Sequence, residues 1–136
     1  MSIESRSAVA GKRLYSPAVV ATYSVVGGLP LGCLLYGVNS TRRGGSGLGT
    51  ILLAVAAASF AFMAVGAVLG AHVALYGALG WFGGIGFYNL ESGPFERAMA
   101  RGAIRAKWWP PALIAVASYL VIGVVVVLFR GIGEGQ

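Results

Sequence analysis

One histidine, one cysteine and four acidic residues are the only imidazole, thiol and carboxylate side chains in this 136-residue sequence from which acid–base or metal chemistry would first be sought. His72 stands in a long apolar run. An ionisable group at membrane depth is a suspect proton relay, ligand or pH sensor, whereas the same residue at a turn between two helices is an interfacial polar group. The turn is expected around Gly70-Ala71-His72, which favours the second reading and leaves His72 as a candidate functional residue only. A zinc or haem site needs further ligands, and there is neither a second histidine nor a paired cysteine to supply them. No metal and no cofactor is therefore expected. Cys33 follows Leu29-Pro30-Leu31-Gly32, a faint likeness to a lipoprotein cleavage site. The proline is wrong for that motif and Leu34-Leu35-Tyr36 stays apolar, so the thiol reads as a small buried hydrophobe. Glu4, Glu91, Glu96 and Glu134 all lie outside the apolar segments, and none pairs with the histidine in sequence. Glu91 and Glu96 are expected to be balanced by neighbouring arginines. No catalytic constellation emerges, and the expectation is a protein that is not an enzyme.

Two further motifs dissolve on inspection. Gly44-Gly45-Ser46-Gly47-Leu48-Gly49 lacks the Lys-Ser/Thr of a phosphate loop and follows no strand, so it reads as a linker. Asn39-Ser40-Thr41 fits a glycosylation sequon but abuts an apolar segment, where it is read as chance.

The elements that would carry these residues are membrane elements. Only 10% of the chain is charged and 57% is hydrophobic, with a mean hydropathy of +0.81; a soluble domain carries about 25% charged residues. The net charge of +6 sits in a few Lys and Arg flanking apolar runs, where such residues orient helices and meet anionic headgroups; nucleic acid is not an expected partner.

Four apolar segments are expected, at about 17–38, 48–69, 72–90 and 112–129, making one all-α integral membrane domain. Ser16 and Pro17 are suited to the N-cap and first position of the first segment. That segment is interrupted by Gly27-Gly28-Leu29-Pro30, where the proline removes a helical hydrogen bond and the glycines make a break cheap. It predicts a kink or a full reversal. Residues 48–90 carry no charge and would extend about 64 Å as one helix, twice the hydrocarbon thickness, so they must make two passes. Small residues recur at helical spacing in both: Ala54, Ala58, Ala61, Gly66 and Gly70, then Ala74, Gly77, Gly80 and Gly84. They predict a closely packed helical hairpin. Glu91-Ser92-Gly93-Pro94 resembles a helix start, and Arg97, Arg101 and Arg105 recur every four residues. Together with Lys107, Trp108 and Trp109 they predict a short interfacial amphipathic helix over about 94–107, in contact with lipid headgroups.

Charge counting separates the topologies. If all four segments span with the N-terminus inside, the outside face carries more basic residues than the inside, against the positive-inside rule. A spanning first segment with the N-terminus outside is acceptable. A first segment that dips in and returns is better: Arg6, Lys12, Arg13, Arg42, Arg43, Arg97, Arg101, Arg105 and Lys107 then share the cytoplasmic side and Arg130 alone lies outside. Re-entrant backbone survives only where protein or water surrounds it, so this topology requires the glycine faces of the next two segments to enclose the break. Either arrangement puts residues 94–107 on the cytoplasmic side.

Lys12-Arg13-Leu14-Tyr15-Ser16-Pro17, Gly27-Gly28-Leu29-Pro30-Leu31-Gly32, Asn39, Phe95 and Lys107-Trp108-Trp109 together resemble a group of small multi-pass bacterial membrane proteins that share an LYSP motif, a GGPLG-like break and an asparagine ending the first segment. This chain differs in placing Leu29 between the glycines and the proline. The resemblance implies four apolar segments in a bacterial inner membrane and carries no activity with it. The resulting expectation is an accessory or scaffold element, in contact with the lipid bilayer and with other membrane subunits or further copies of itself. The competing expectation is a small oligomeric transporter or channel with its site at the broken first segment.

Overall fold

The computed structural model describes residues 9–70 and 73–133; His72 lies outside the described residues. In chain order the elements are β1 (Arg13–Leu14), α1 (Pro17–Arg42), α2 (Ser46–Val68), α3 (Val73–Met99), β2 (Ile104–Arg105) and α4 (Trp109–Gly133). Among the described residues, three of the four helices are, by length and composition alone, long and apolar enough to cross a membrane: α1, α2 over Gly47–Val68 and α4 over Trp109–Phe129.

α1 begins as its sequence dictates. Ser16 is the N-cap, its Oγ accepting from the Val19 N–H at 3.4 Å, and Pro17 occupies the first turn. At Gly28 the backbone leaves the helix for φ 73°, ψ −178°, a region open to glycine and almost nothing else. Pro30 then falls in the first turn of a new helical arm, where its missing N–H costs nothing. A straight helix of 26 residues would separate its ends by about 38 Å. Here the ends meet. The Asn39 Oδ1 accepts from the Tyr15 N–H at 2.8 Å, and the Asn39 Nδ2 donates to the Tyr15 carbonyl at 2.7 Å. Arg42 Nη1 donates to the Arg13 carbonyl at 2.6 Å. α1 is therefore a helical hairpin of two arms, 17–27 and 29–42, with its tip at Gly28.

Each arm is gripped by a different helix. Gly80 and Gly84 of α3 lie against the first arm so closely that an added Cβ at Gly80 would stand 2.6 Å from the Ser24 carbonyl oxygen, and one at Gly84 would stand 3.0 Å from that of Ala21. The Ser24 Oγ donates to the Gly80 carbonyl at 3.2 Å across the same contact. On the other side Gly37 of the second arm crosses Gly49 of α2, with a Cβ at Gly37 only 3.2 Å from the Gly49 carbonyl oxygen. α1 thus sits between α2 and α3, which touch one another through the Phe62 and Tyr76 rings at 6.5 Å. The expected packed hairpin of α2 on α3 is corrected accordingly. The small residues bring backbones together, but onto the arms of α1. Ala54, Ala58 and Ala61 face outward, and among the described residues nothing outside its own helix backbone lies within 4 Å of a Cβ placed at Gly77.

The separate interfacial helix over 94–107 is also corrected. Phe87, Glu91, Phe95 and Ala98 are all buried, and their spacing makes one continuous stripe on a single helix face. That stripe carries α3 straight through Pro94 to Met99. The helix then closes on Gly102, at φ 87°, with the Ala103 N–H bonded to the Ala98 carbonyl and the Gly102 N–H to that of Met99. This is a Schellman turn, and it ends the helical register before Arg105 can join Arg97 on a shared face. β2 then pairs in parallel with β1, Arg13 opposite Ile104 and Leu14 opposite Arg105.

Candidate functional site

The polar groups of the bundle converge at its base, where the two ends of α1 meet α3. Glu91 has no solvent exposure. Arg43, at the end of the second arm, engages both its oxygens: Nη1 on Oε1 in a short contact and Nη2 on Oε2 at 3.0 Å. The Asn39 Nδ2, which also holds Tyr15, donates to the same Oε1 at 2.6 Å. The Arg43 guanidinium lies 6.0 Å from the Tyr36 ring centre, and Arg42 lies 5.7 Å from that of Tyr15. A buried carboxylate is tolerable only with this degree of pairing. Among the described residues every buried side-chain polar atom has a partner. Arg43 and Glu91 are 48 positions apart, so the expectation that Glu91 is balanced by sequence neighbours is replaced by a long-range pair. Read in sequence, Arg43 was a loop charge; its only advance signal was that Glu91 and the first loop abut apolar segments.

At the other end of the hairpin two cavities flank the tip. One, of about 310 Å³, lies among Gly27, Pro30, Phe60, Ala115 and Tyr119; the other, of about 520 Å³, among Gly28, Gly70, Tyr76, Gly77 and Val126. Met63, Tyr119 and Ile122 border both. The Tyr119 hydroxyl donates to the Val26 carbonyl, one of the groups that the break releases from helical bonding. Tyr119 was missed in sequence because nothing marks its register on α4 against the break.

The expected site residues distribute as follows. Gly27, Gly28 and Pro30 form the buried tip. Gly80 and Gly84 are buried against the first arm, Gly66 is half-buried within α2, and Gly70, at φ 78°, and Gly77 border the larger cavity. Arg97, Arg105, Lys107, Trp108 and Trp109 are exposed near the base, and Arg101 is half-exposed. They do not form one stripe: Arg97 ends α3, Arg101 lies in the turn that follows, and Arg105 in β2 sits 5.9 Å from the Phe95 ring centre. The Trp108 carbonyl accepts from the Tyr23 hydroxyl at 3.0 Å, tying the start of α4 to the first arm.

Fold and site together define a multi-helix protein with membrane-length apolar helices built around a broken, folded-back helical element. Comparison with protein-family models, with curated proteins and with solved structures gave no match, so the functional reading rests on this geometry.

Proposed function

We propose that the chain is a non-enzymatic, multi-pass protein of the bacterial inner membrane in which α1 is a re-entrant hairpin, and that it serves as an accessory or scaffold element in a membrane assembly. The re-entrant reading is supported by the Tyr15–Asn39 contact, which puts both ends of α1 at one level. Along α3, Glu91 at the base and Gly80 at the tip are about 17 Å apart, and about 10 Å of helix continues beyond Gly80 to Val73. The sum approaches the ~30 Å of a hydrocarbon core, which supports a reading in which α3 spans and the tip lies inside. The helix from Trp109 to Phe129 has the same length, with Arg130 at its far end and the other described basic residues near the base. The base is then cytoplasmic.

One observation carries the scaffold reading. The close glycine contacts are internal to the chain, while Ala54, Ala58 and Ala61 leave a small-residue face on the outside of α2. In lipid such a face brings a second helix close, whereas a helix meeting only acyl chains has no need of it. The test replaces Cys33 and places a single cysteine at Ala58 for crosslinking in native membranes. A discrete protein adduct, homodimeric or with another membrane subunit, is expected. Reaction with lipid-soluble maleimide alone, with no protein adduct, would remove the reading. Topology is tested with single cysteines at Lys12, Gly47 and Lys107, expected to be shielded from outside reagent, and at Ile132, expected to be labelled. Labelling at both 12 and 132 would make α1 a spanning helix.

A second reading, a small oligomeric transporter or channel, is favoured by the two cavities that flank the break, since broken helices in transporters hold their substrates at such points. Flux into proteoliposomes that is abolished by Gly28→Ala or by changing His72 would select it over the scaffold.

A further inference from the structure

A third cavity lies at the base, apart from the hairpin tip. It holds about 150 Å³ and is lined by Val9, Arg43, Pro94, Arg97, Ala98 and Arg101. Three of its six lining residues are arginines brought from three places: the end of α1, the last turn of α3 and the turn after it. Its floor is dry, because Val9 and Ala98 belong to a buried cluster with Leu14 and Phe95. Charges over an apolar floor act through a lower effective dielectric than charges in water.

The three guanidiniums differ in their commitments. Arg43 is fixed by the Glu91 carboxylate, to which the Asn39 amide also donates, through one N–H from each terminal nitrogen; its other guanidinium donors have no hydrogen-bond acceptor among the described residues. Glu91 neutralises that one charge and is itself fully buried. Arg97 and Arg101 make no ion pair or hydrogen bond through their side chains among the described residues. The Arg97 terminal nitrogens lie across Gly93, 3.9 Å from where a Cβ would stand. Arg97 and Arg101, without an ion pair among the described residues, and Arg43, held by Glu91, line one cavity and together suit a tetrahedral oxyanion, which arginine recognises through paired N–H bonds.

We propose that this cavity binds one phosphate group, the phosphomonoester of an anionic lipid or the free ion. The proposal rests on the membrane reading above, which sets the base at headgroup level. It goes further in assigning a discrete site to Arg43, Arg97 and Arg101, distinct from a diffuse basic surface.

The test uses the full-length protein in nanodiscs of phosphatidylcholine containing a minor fraction of phosphatidic acid, with bound lipid read by native mass spectrometry, and separately inorganic phosphate added to protein in neutral detergent. Arg97→Ala/Arg101→Ala is expected to lower retention of phosphatidic acid by about ten-fold or more. Arg105→Ala/Lys107→Ala, which removes the same charge outside the cavity, is expected to leave retention within about two-fold. Arg97→Lys/Arg101→Lys keeps the charge without the planar fork and is expected to fall between them; it also serves if the alanine pair fails to fold. Retention of lipid that inorganic phosphate does not displace assigns the site to a headgroup. Arginine-dependent binding of inorganic phosphate without lipid retention assigns it to the free ion. Equal losses in the two alanine pairs, or none in either, overturn the proposal. A failed topology map with intact phosphate binding would instead remove the membrane reading alone.

Discussion

Removing either partner of the Arg43–Glu91 pair should cost far more than removing both. Glu91 is fully buried, and the Arg43 side chain is 15% exposed. Arg43→Met leaves a buried carboxylate with only the Asn39 amide as donor. Breaking a buried pair in this way costs about 3–5 kcal/mol, and the upper half of that range applies here. Glu91→Met strands a guanidinium instead, but its partial exposure lets the long side chain reach outward, and Asn39 keeps its bond to the Tyr15 carbonyl. About 3 kcal/mol is expected. The double variant places two flexible apolar side chains in the same space and should lie within ~1–2 kcal/mol of the parent, because the desolvation cost of the pair disappears with its attraction. The coupling, read from equilibrium unfolding in mixed micelles of the four proteins, is then about 6 kcal/mol. Additive single effects, with a coupling below ~0.5 kcal/mol, would refute the view that this pair closes the base.

Three further outcomes follow from the hairpin. Gly80→Ala puts a Cβ against the Ser24 and Val25 carbonyls and the Gly28 Cα, backbone atoms that cannot turn aside, and should destabilise by about 1–3 kcal/mol; Gly77→Ala meets nothing within 4 Å and should be neutral or stabilising by up to ~1 kcal/mol in the same unfolding assay. Gly28→Ala forces φ 73° with ψ −178° on a residue with a Cβ, and a loss of ~1–3 kcal/mol with faster proteolysis at the tip is expected; the Met63 side chain near that Cβ is flexible, so the backbone carries the cost. Tyr119→Phe deletes the donor to the Val26 carbonyl and should cost ~0.5–1.5 kcal/mol, with accelerated amide hydrogen exchange confined to residues near the tip.

Much of the architecture was legible in residue order. Low charge and long apolar runs specify membrane-length helices, Ser16-Pro17 specifies where the first begins, and Gly28 before Pro30 specifies where it breaks, because these depend on local backbone sterics and on transfer from water. The charge count left a kinked span and a reversal at that break both open, and the Tyr15–Asn39 contacts show that the chain folds back there. Other features belong to the tertiary structure alone. A glycine face shows that a backbone approaches but not whose: Gly80 and Gly84 grip an arm of α1, as a first segment that folds back required, and not α2, as the packed-hairpin reading had it. Pro94 resembled a helix start because its missing N–H fits one, yet buried contacts at Phe87, Glu91, Phe95 and Ala98 hold the helix through it. Arg97 and Arg105 shared a spacing that Gly102 then broke with its positive φ. The partner of Glu91 stands 48 positions away, and a pair at that separation exists only after the hairpin has folded back to bring Asn39 and Arg43 to the base. Local conformational preference and polarity are written residue by residue, whereas the pairing of buried charge and the choice of packing partner are decided by which surfaces the assembled helices remove from lipid and water together.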